Sequence, residues 1–330
     1  MAAQFTHDRL QDAHGQADRL DRLSIGVLYG FPSAEQEISL QSGDAVAKAL
    51  TASGRDVHRV LLDDSFNVAL ARSLELDVAF LALHGEFGED GRVQVILDQA
   101  GIPYSGSCAD ASSLAFDKVL AKRAFERHGI LSPAWMSFER DELAALGNPA
   151  ALDLSPPLVV KPAASGSSLG VTIVRQVEQV AAAIEHAFEF GESVLIERFI
   201  AGRELTVGIL GDDPLPVAEL SVGGEFYDYQ AKYVDQGTRV LCPADLPPET
   251  TARVQATALA THRGLGCRDL SRTDLILDAA GIAWVLEVNT LPGLTAHSIL
   301  PKAAAAAGID FTSLCEMLLL KSLERAKAKI

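Results

Sequence analysis

The chain has 330 residues, 48% of them apolar and 22% charged, with a formal net charge of −16. That length is enough for two or three hydrophobic cores, and the acidic excess argues against nucleic acid or an anionic membrane as a partner. A pocket for a phosphate-bearing ligand remains compatible, because a few clustered lysines suffice to cradle phosphates.

The cysteines Cys108, Cys242, Cys267 and Cys315 are scattered without C-x-x-C spacing. This argues against a zinc site or a disulfide scaffold and fits a reducing, cytoplasmic setting. No apolar run has the length of a membrane span, and the first two dozen residues mix both charge signs without an apolar stretch. Neither an anchor nor a secretory leader is therefore expected. Residues 1–23 read as a polar N-terminal extension without an assigned role.

Residues 24–103, within a unit taken as 24–116, alternate strand and helix signals, with strands at Ser24–Tyr29, Asp56–Leu62 and Asp77–Leu83 and helices at Ile38–Ala52 and Val93–Gln99. The alternation predicts a Rossmann-like α/β domain on a parallel sheet, with functional loops at the strands' C-terminal ends. Two polar, glycine-containing segments lie at such places, Gly30–Glu37 and His84–Gly91. Glu35 suits a substrate ammonium, but an acidic residue in a first helical turn is also ordinary capping. His84 occupies a crevice position open to either a structural or a chemical role.

Residues 117–200 read as an α+β module: a helix from Asp117 to His128, strands at Pro157–Lys161, Gly170–Val174 and Val194–Arg198, and a helix around Val177–Phe188. The strand ending in Lys161 runs into Pro162-Ala163-Ala164-Ser165-Gly166-Ser167-Ser168-Leu169-Gly170. Backbone N–H groups and hydroxyls of such a loop suit phosphate oxygens. It lacks the G-x-x-x-x-G-K-S/T spacing of a P-loop, and an ordinary Gly/Ser turn has the same composition. Lys118 is a candidate second phosphate lysine or a solvated surface charge. Val194–Ile200, followed by Glu204, suits an adenine slot with a ribose carboxylate or, equally, a core strand leading into a turn.

Residues 201–330 add several strands, a polar loop at Tyr227–Thr238, a helix over Glu249–His262, a hairpin and two terminal helices. The last of these, around Phe311–Leu323, is apolar on more than one face, which predicts docking into a core. The hairpin is the most informative stretch. One strand carries Arg272 and Asp274; after Asp278-Ala279-Ala280-Gly281 the other carries Glu287 and Asn289. Alternation places Arg272 with Asp274, and Glu287 with Asn289, on shared faces. Paired strands then present Asp274, Glu287 and Asn289 as hard oxygen ligands for a cation such as Mg²⁺. An edge hairpin with a polar solvent face reads the same way.

Taken in order, several runs point to one family: Ser33-Ala34-Glu35-Gln36-Glu37-Ile38-Ser39; Leu83-His84-Gly85 with Gly88-Glu89-Asp90-Gly91; Lys161-Pro162 with Gly166-Ser167-Ser168; Tyr227-Asp228-Tyr229 and Ala231-Lys232-Tyr233; and Asn289-Thr290-Leu291-Pro292-Gly293 with His297-Ser298. From about Ser24 to Leu320 the chain resembles the ATP-grasp enzymes and, within them, the D-alanine–D-alanine ligases of peptidoglycan synthesis. The resemblance implies a Rossmann-like N-terminal domain followed by a two-part ATP-grasp fold, divided at 117–200 and 201–330. It implies ATP and two Mg²⁺ ions (or Mn²⁺), D-alanine as substrate, and a homodimer as the common family assembly.

By the same resemblance, Asp274, Glu287 and Asn289 bind the metals. Lys118, Lys161, Ser168 and Lys232 hold phosphates; Glu197, the Arg198 backbone and Ile200 meet adenine, and Glu204 the ribose. Glu35 pairs with the first substrate's ammonium, and His84 is a further substrate-binding residue. Arg272 and the Gly293 N–H form an oxyanion site, while Ser298 and the Ile299 N–H receive the second substrate's carboxylate. Tyr233 hydrogen-bonds Ser167 and, through it, Glu35, on a loop that closes over the site.

Phe31, Glu86, Arg92 and Val95 depart from the family pattern, and a bulky Phe31 is expected to narrow the crevice or shift substrate preference. Tyr233 favours an amine acceptor over D-lactate. Two other readings are a ligase for a different amino-acid pair and a catalytically silent nucleotide-binding protein. The full set Arg272, Asp274, Glu287 and Asn289 argues against the silent one.

Overall fold

The computed structural model describes residues 17–142, 153–221 and 239–328. It is a mixed α/β fold, with three sheets among the described residues. The first follows the alternation of the sequence: β1 (Ser24–Tyr29), α1 (Gln36–Ala52), β2 (Asp56–Leu61), α2 (Val68–Ser73), β3 (Val78–Leu81) and α3 (Arg92–Ala100). Its strands are parallel in the order β2-β1-β3. Ile25, Val27, Leu28, Val78 and Phe80 are fully buried, as a sheet covered on both faces requires.

Two further helices, α4 (Ala109–Phe116) and α5 (Lys118–Arg127), lead away from this sheet. Asp117 separates them and caps α5, its carboxylate accepting from the Val119 and Leu120 N–H groups. The second sheet is antiparallel. It contains β4 (Trp135–Glu139), β5 (Leu158–Pro162), β6 (Thr172–Val174) and β7 (Ser193–Arg198) in the order β4-β7-β5-β6, with α6 (Val180–Ala187) packed on it.

The third sheet holds β8 (Gly202–Leu210), β9 (Asp213–Pro214), β10 (Ala218–Ser221), β11 (Arg239–Leu241), β12 (Leu270–Asp278) and β13 (Ala283–Asn289). Its main path runs β11-β10-β8-β12-β13. Helix α7 (Pro248–Gly264) covers it, and α8 (Ile299–Ala306) and α9 (Phe311–Ala328) close the chain. As expected from its apolar faces, α9 docks into a core, one shared with β1, β3 and α1. The C-terminal end of the chain is thereby packed against the first sheet. Among the described residues, no single helix is long and apolar enough to cross a membrane.

The elements missed in the sequence have weak signals. Helix α4 (ADASSLAF) is short, with little polar contrast between its faces, and β4 is half-exposed on both sides, so it shows no alternation. Most other element ends fall within about two residues of expectation, the ordinary scatter of such boundaries; α6 begins three residues later than expected, at Val180, and α9 runs five residues further, to Ala328.

Candidate active site

The β12–β13 hairpin has the register that the alternation requires: Arg272 lies opposite Asn289 and Asp274 opposite Glu287, with a bulge after Asp274. Asp274 is buried, and both its oxygens are engaged. Oδ1 accepts from Thr206 Oγ1 at 2.5 Å and Arg272 Nε at 2.9 Å, and Oδ2 from Arg272 Nη2 at 2.8 Å and Asn289 Nδ2 at 3.1 Å. Four donors fill the lone-pair directions of a carboxylate, so a cation ligates Asp274 only by displacing one of them. Glu287, more exposed, is 3.5 Å from Lys118 Nζ. Among the described residues there is no group of three or more His, Cys, Asp or Glu side chains able to hold a metal. Two carboxylates and an amide fit a cation that brings its other oxygen ligands with it, as a phosphate-bound Mg²⁺ does.

Asp274 and Glu287 also line a cavity of about 370 Å³ between the second and third sheets. Its walls are apolar at Val159, Leu169, Val171, Ile276 and Leu286, and one end carries Lys118, Lys161, Ser165 and Ser168. Glu197, Arg198, Ile200 and Glu204 line it too, so the structure gathers at one cavity all the expected nucleotide residues that it describes. The Arg198 N–H already donates to Ala134 O at 2.8 Å, which leaves its carbonyl for any backbone contact. Lys118 holds the loop from below, donating to Ser165 O at 2.7 Å. Ser167 and Ser168 are both in the left-handed region, φ 52° and 58°. Such a conformation costs a non-glycine residue about 1–3 kcal/mol and tends to persist at functional sites.

Lys161 and Glu197 are buried and 2.5 Å apart. Burial works against the Lys161 charge, yet the Glu197 and Glu287 carboxylates hold its pKa above the usual lysine value. Burial likewise disfavours ionised Glu197, but two ammonium groups, Lys122 and Lys161, keep its pKa low.

The same loop reaches the first sheet. Ser167 Oγ donates to Glu35 Oε1, a very short contact between residues 132 positions apart. Glu35 is the N-cap residue of α1, but its side chain makes no capping bond, which decides against the ordinary capping role. Two glycines make room for its carboxylate: a Cβ on Gly85 would lie 2.3 Å, and one on Gly166 2.2 Å, from Glu35 Oε2. His84 is buried with both ring nitrogens engaged, Nε2 with Ser42 Oγ at 2.9 Å and Nδ1 with Leu291 O at 2.8 Å. It ties α1 to the segment after β13, and a ligand reaches it only when one of these bonds is released. Burial depresses its pKa.

Glu89 does similar work, accepting from the Gly85 N–H at 2.9 Å and the Leu291 N–H at 3.1 Å. Burial, together with the Glu35 charge, pushes its carboxyl up to about 7. Gly293 lies directly against Ser298, whose Oγ would be 2.7 Å from a Cβ there. The Ser298 hydroxyl accepts from the Thr295 N–H at 3.0 Å, and Ser298 is the N-cap of α8 without a side-chain capping bond. The Ile299 N–H thus belongs to a free helix start, a favourable place for a carboxylate.

Lys232, Tyr233 and the rest of the expected lid lie outside the described residues. Two residues escaped the sequence reading as site members, Glu89 and Lys122. For Lys122 a signal existed: it follows Lys118 by one helical turn and shares its face.

Phe31 is buried and stacks on Phe87 with centroids 4.0 Å apart, next to Leu62 and Phe66. Arg92 lies over Phe87, 2.7 Å from Asp90 and 3.9 Å from Glu86, on the surface. Val95 is exposed.

A family model described as the D-ala D-ala ligase C-terminus matches residues 124–320, and one described as the D-ala D-ala ligase N-terminus matches residues 64–107. A D-alanine–D-alanine ligase of Geobacter sulfurreducens is 42% identical over 94% of this chain and 98% of its own length. One from Bordetella avium is 42% identical over 89% of this chain and 93% of its own. Among solved structures, the Bacillus anthracis D-alanine–D-alanine ligase in complex with ATP is 34% identical with a TM-score of 0.78, covering 93% of this chain and 100% of that one. The VanG D-Ala:D-Ser ligase of Enterococcus faecalis is 31% identical with a TM-score of 0.81, covering 91% of this chain and 99% of that one. The chain belongs to the D-alanine–D-alanine ligase family.

Proposed function

We propose that the protein joins two D-alanines to D-alanyl-D-alanine with ATP, for peptidoglycan synthesis. The observation that carries this reading is the Gly166–Ser168 loop. On one side it lines the cavity between Lys118, Lys161 and the hairpin carboxylates, and on the other it hands Ser167 to Glu35. One segment thereby joins a phosphate site to an ammonium site. In the same reading, residues 24–116 form a Rossmann-like domain, and residues 117–200 and 201–330 the two parts of an ATP-grasp fold, acting in the cytoplasm.

Carboxylates are poor electrophiles, so the reaction is divided. The carboxylate oxygen of the first D-alanine attacks the γ-phosphorus, and the bond to the β-phosphate oxygen breaks, giving ADP and an acyl phosphate. The amine of the second D-alanine attacks the acyl carbon, loses a proton, and phosphate departs with the original carboxylate oxygen. Anions meet in both steps, which calls for cationic clamps. Lys118, Lys161 and Ser168 hold the phosphates. Glu35, fixed by Ser167, binds the first ammonium. Arg272 and the Gly293 N–H stabilise the tetrahedral oxyanion, and Ser298 with the Ile299 N–H orients the second carboxylate. Asp274, Glu287 and Asn289 would hold two Mg²⁺ ions, which supply neutralising charge to the phosphates. By the resemblance, Lys232 would add a phosphate contact and Tyr233 a hydroxyl to Ser167; keeping water out protects the acyl phosphate.

D-alanine labelled with ¹⁸O in its carboxylate tests the route. The account expects one label per turnover in the released phosphate; unlabelled phosphate would contradict it. The likeness to a D-Ala:D-Ser ligase makes D-serine the second acceptor to assay. Tyr233 favours an amine, and Tyr233→Phe is expected to move the product ratio toward the D-lactate ester when both acceptors compete, as read by mass.

A further inference from the structure

A buried charge sits behind the cavity wall. Lys122, on α5 one turn beyond Lys118, is fully buried and does not line the cavity. Its one ion-pair partner among the described residues is Glu197, which it meets at Oε1, while Lys161 meets Oε2 of the same carboxylate. Glu197 and Lys161 both face the cavity. An anion shared between two ammonium groups leaves the cluster with one positive charge in excess.

That excess matters because of what else lines the space. Five carboxylates (Glu197, Glu204, Glu219, Asp274 and Glu287) face it against four cations, Lys118, Lys161, Arg198 and Arg203. Arg203 is in addition bound by Glu219 through two hydrogen bonds, at 2.7 and 2.6 Å. A cavity so lined, in a chain of net charge −16, has little positive charge to offer a polyphosphate. Without Lys122, the nearest anion to Lys161 would cancel it. A charge held in a water-poor wall also acts over distance with little screening. Burial pulls the pKa of Lys122 below the usual lysine value, and the Glu197 carboxylate opposes that pull.

We propose that Lys122 is a positioning residue for the nucleotide: its buried ammonium neutralises Glu197 from behind and so leaves the charge of Lys161 to the phosphates. The proposal rests on the reading of the cavity as a nucleotide site, and its test separates the two. Calorimetric titration of the full chain with ADP, and displacement by adenosine, gives the ratio of the two affinities. Lys122→Met keeps the length of the side chain and removes its charge. It is expected to weaken ADP binding about tenfold or more while adenosine changes by less than about twofold. Glu197→Gln, which removes the anion and keeps both lysines, is expected to raise the preference for ADP over adenosine. The double variant should return that preference toward the wild type, and it remains informative if Lys122→Met alone does not fold.

Equal weakening of ADP and adenosine in Lys122→Met would mark a merely structural lysine and overturn the proposal. So would a lower preference for ADP in Glu197→Gln. A wild type that binds ADP no better than adenosine would overturn the nucleotide assignment of the cavity, and the role of Lys122 with it.

Discussion

The hairpin and the loop junction build the site in different ways. Arg272, Asp274, Glu287 and Asn289 come from two adjacent strands and are set by one antiparallel ladder. Glu35, His84, Ser167 and the Gly293–Ser298 stretch come from four separate segments and meet only because the first sheet docks on the others. The ladder places side chains by backbone hydrogen bonds, which a change of side chain leaves intact. The junction places them by close approach, with glycines keeping space open. Substitutions in the hairpin should therefore remove chemistry and spare the fold, whereas those at the junction should shift geometry.

The largest effect is expected in the hairpin. Glu287→Gln keeps shape and pairing but weakens the hard-ligand set, so kcat should fall by about 10³-fold with an unchanged circular dichroism spectrum. Near-normal turnover would break the hairpin side of the comparison.

At the junction, Gly166→Ala places a methyl 2.2 Å from the present position of Glu35 Oε2. The carboxylate must move, and a misplacement near 1 Å costs about 10²-fold. Steady-state kinetics should show the loss in kcat/KM for D-alanine, with a smaller change in KM for ATP. Equal losses for both substrates would mean that the loop acts as one rigid phosphate clamp.

Glu89 offers a pH test of the same junction. Its carboxyl is raised from 4.5 to about 7, first by burial and then by Glu35. Between those values the folded protein keeps a proton that the unfolded chain releases, so this stabilising contribution is lost as pH rises through the window. Relative to Glu89→Gln, the wild type should lose about 3 kcal/mol of unfolding free energy from pH 4.5 to 7. Parallel urea-derived curves for the two proteins would contradict a protonated Glu89.

The smallest effect is expected at the surface. Arg92 and Glu86 are both more than half exposed, so Arg92→Ala should change stability by less than about 1 kcal/mol in urea titration. It should also leave the choice between D-alanine, D-serine and D-lactate unaltered. A changed acceptor choice would connect this exterior pair to the crevice.

The same contrast explains what was legible in the sequence. Hairpin pairing follows from a period of two and a polar turn, so Asp274 opposite Glu287 was readable from local pattern. The Glu35–Ser167 contact spans 132 positions, and only the family resemblance suggested it. The stacking of Phe31 was not legible, because its partner, Phe87, lies in another loop. The burial of Lys122 was not legible, because lysines are seldom fully buried, although its helical spacing places it on the face of Lys118. The anion that makes its burial tolerable, Glu197, lies on a strand far along the chain.

The central claim is the ligation itself. With ATP, Mg²⁺ and D-alanine, mass spectrometry of the products against ADP formed tests it most directly. The account predicts one D-alanyl-D-alanine for each ADP, and no dipeptide when L-alanine replaces D-alanine. ATP turnover without this dipeptide, or a faster ligation of a different amino-acid pair, would contradict it.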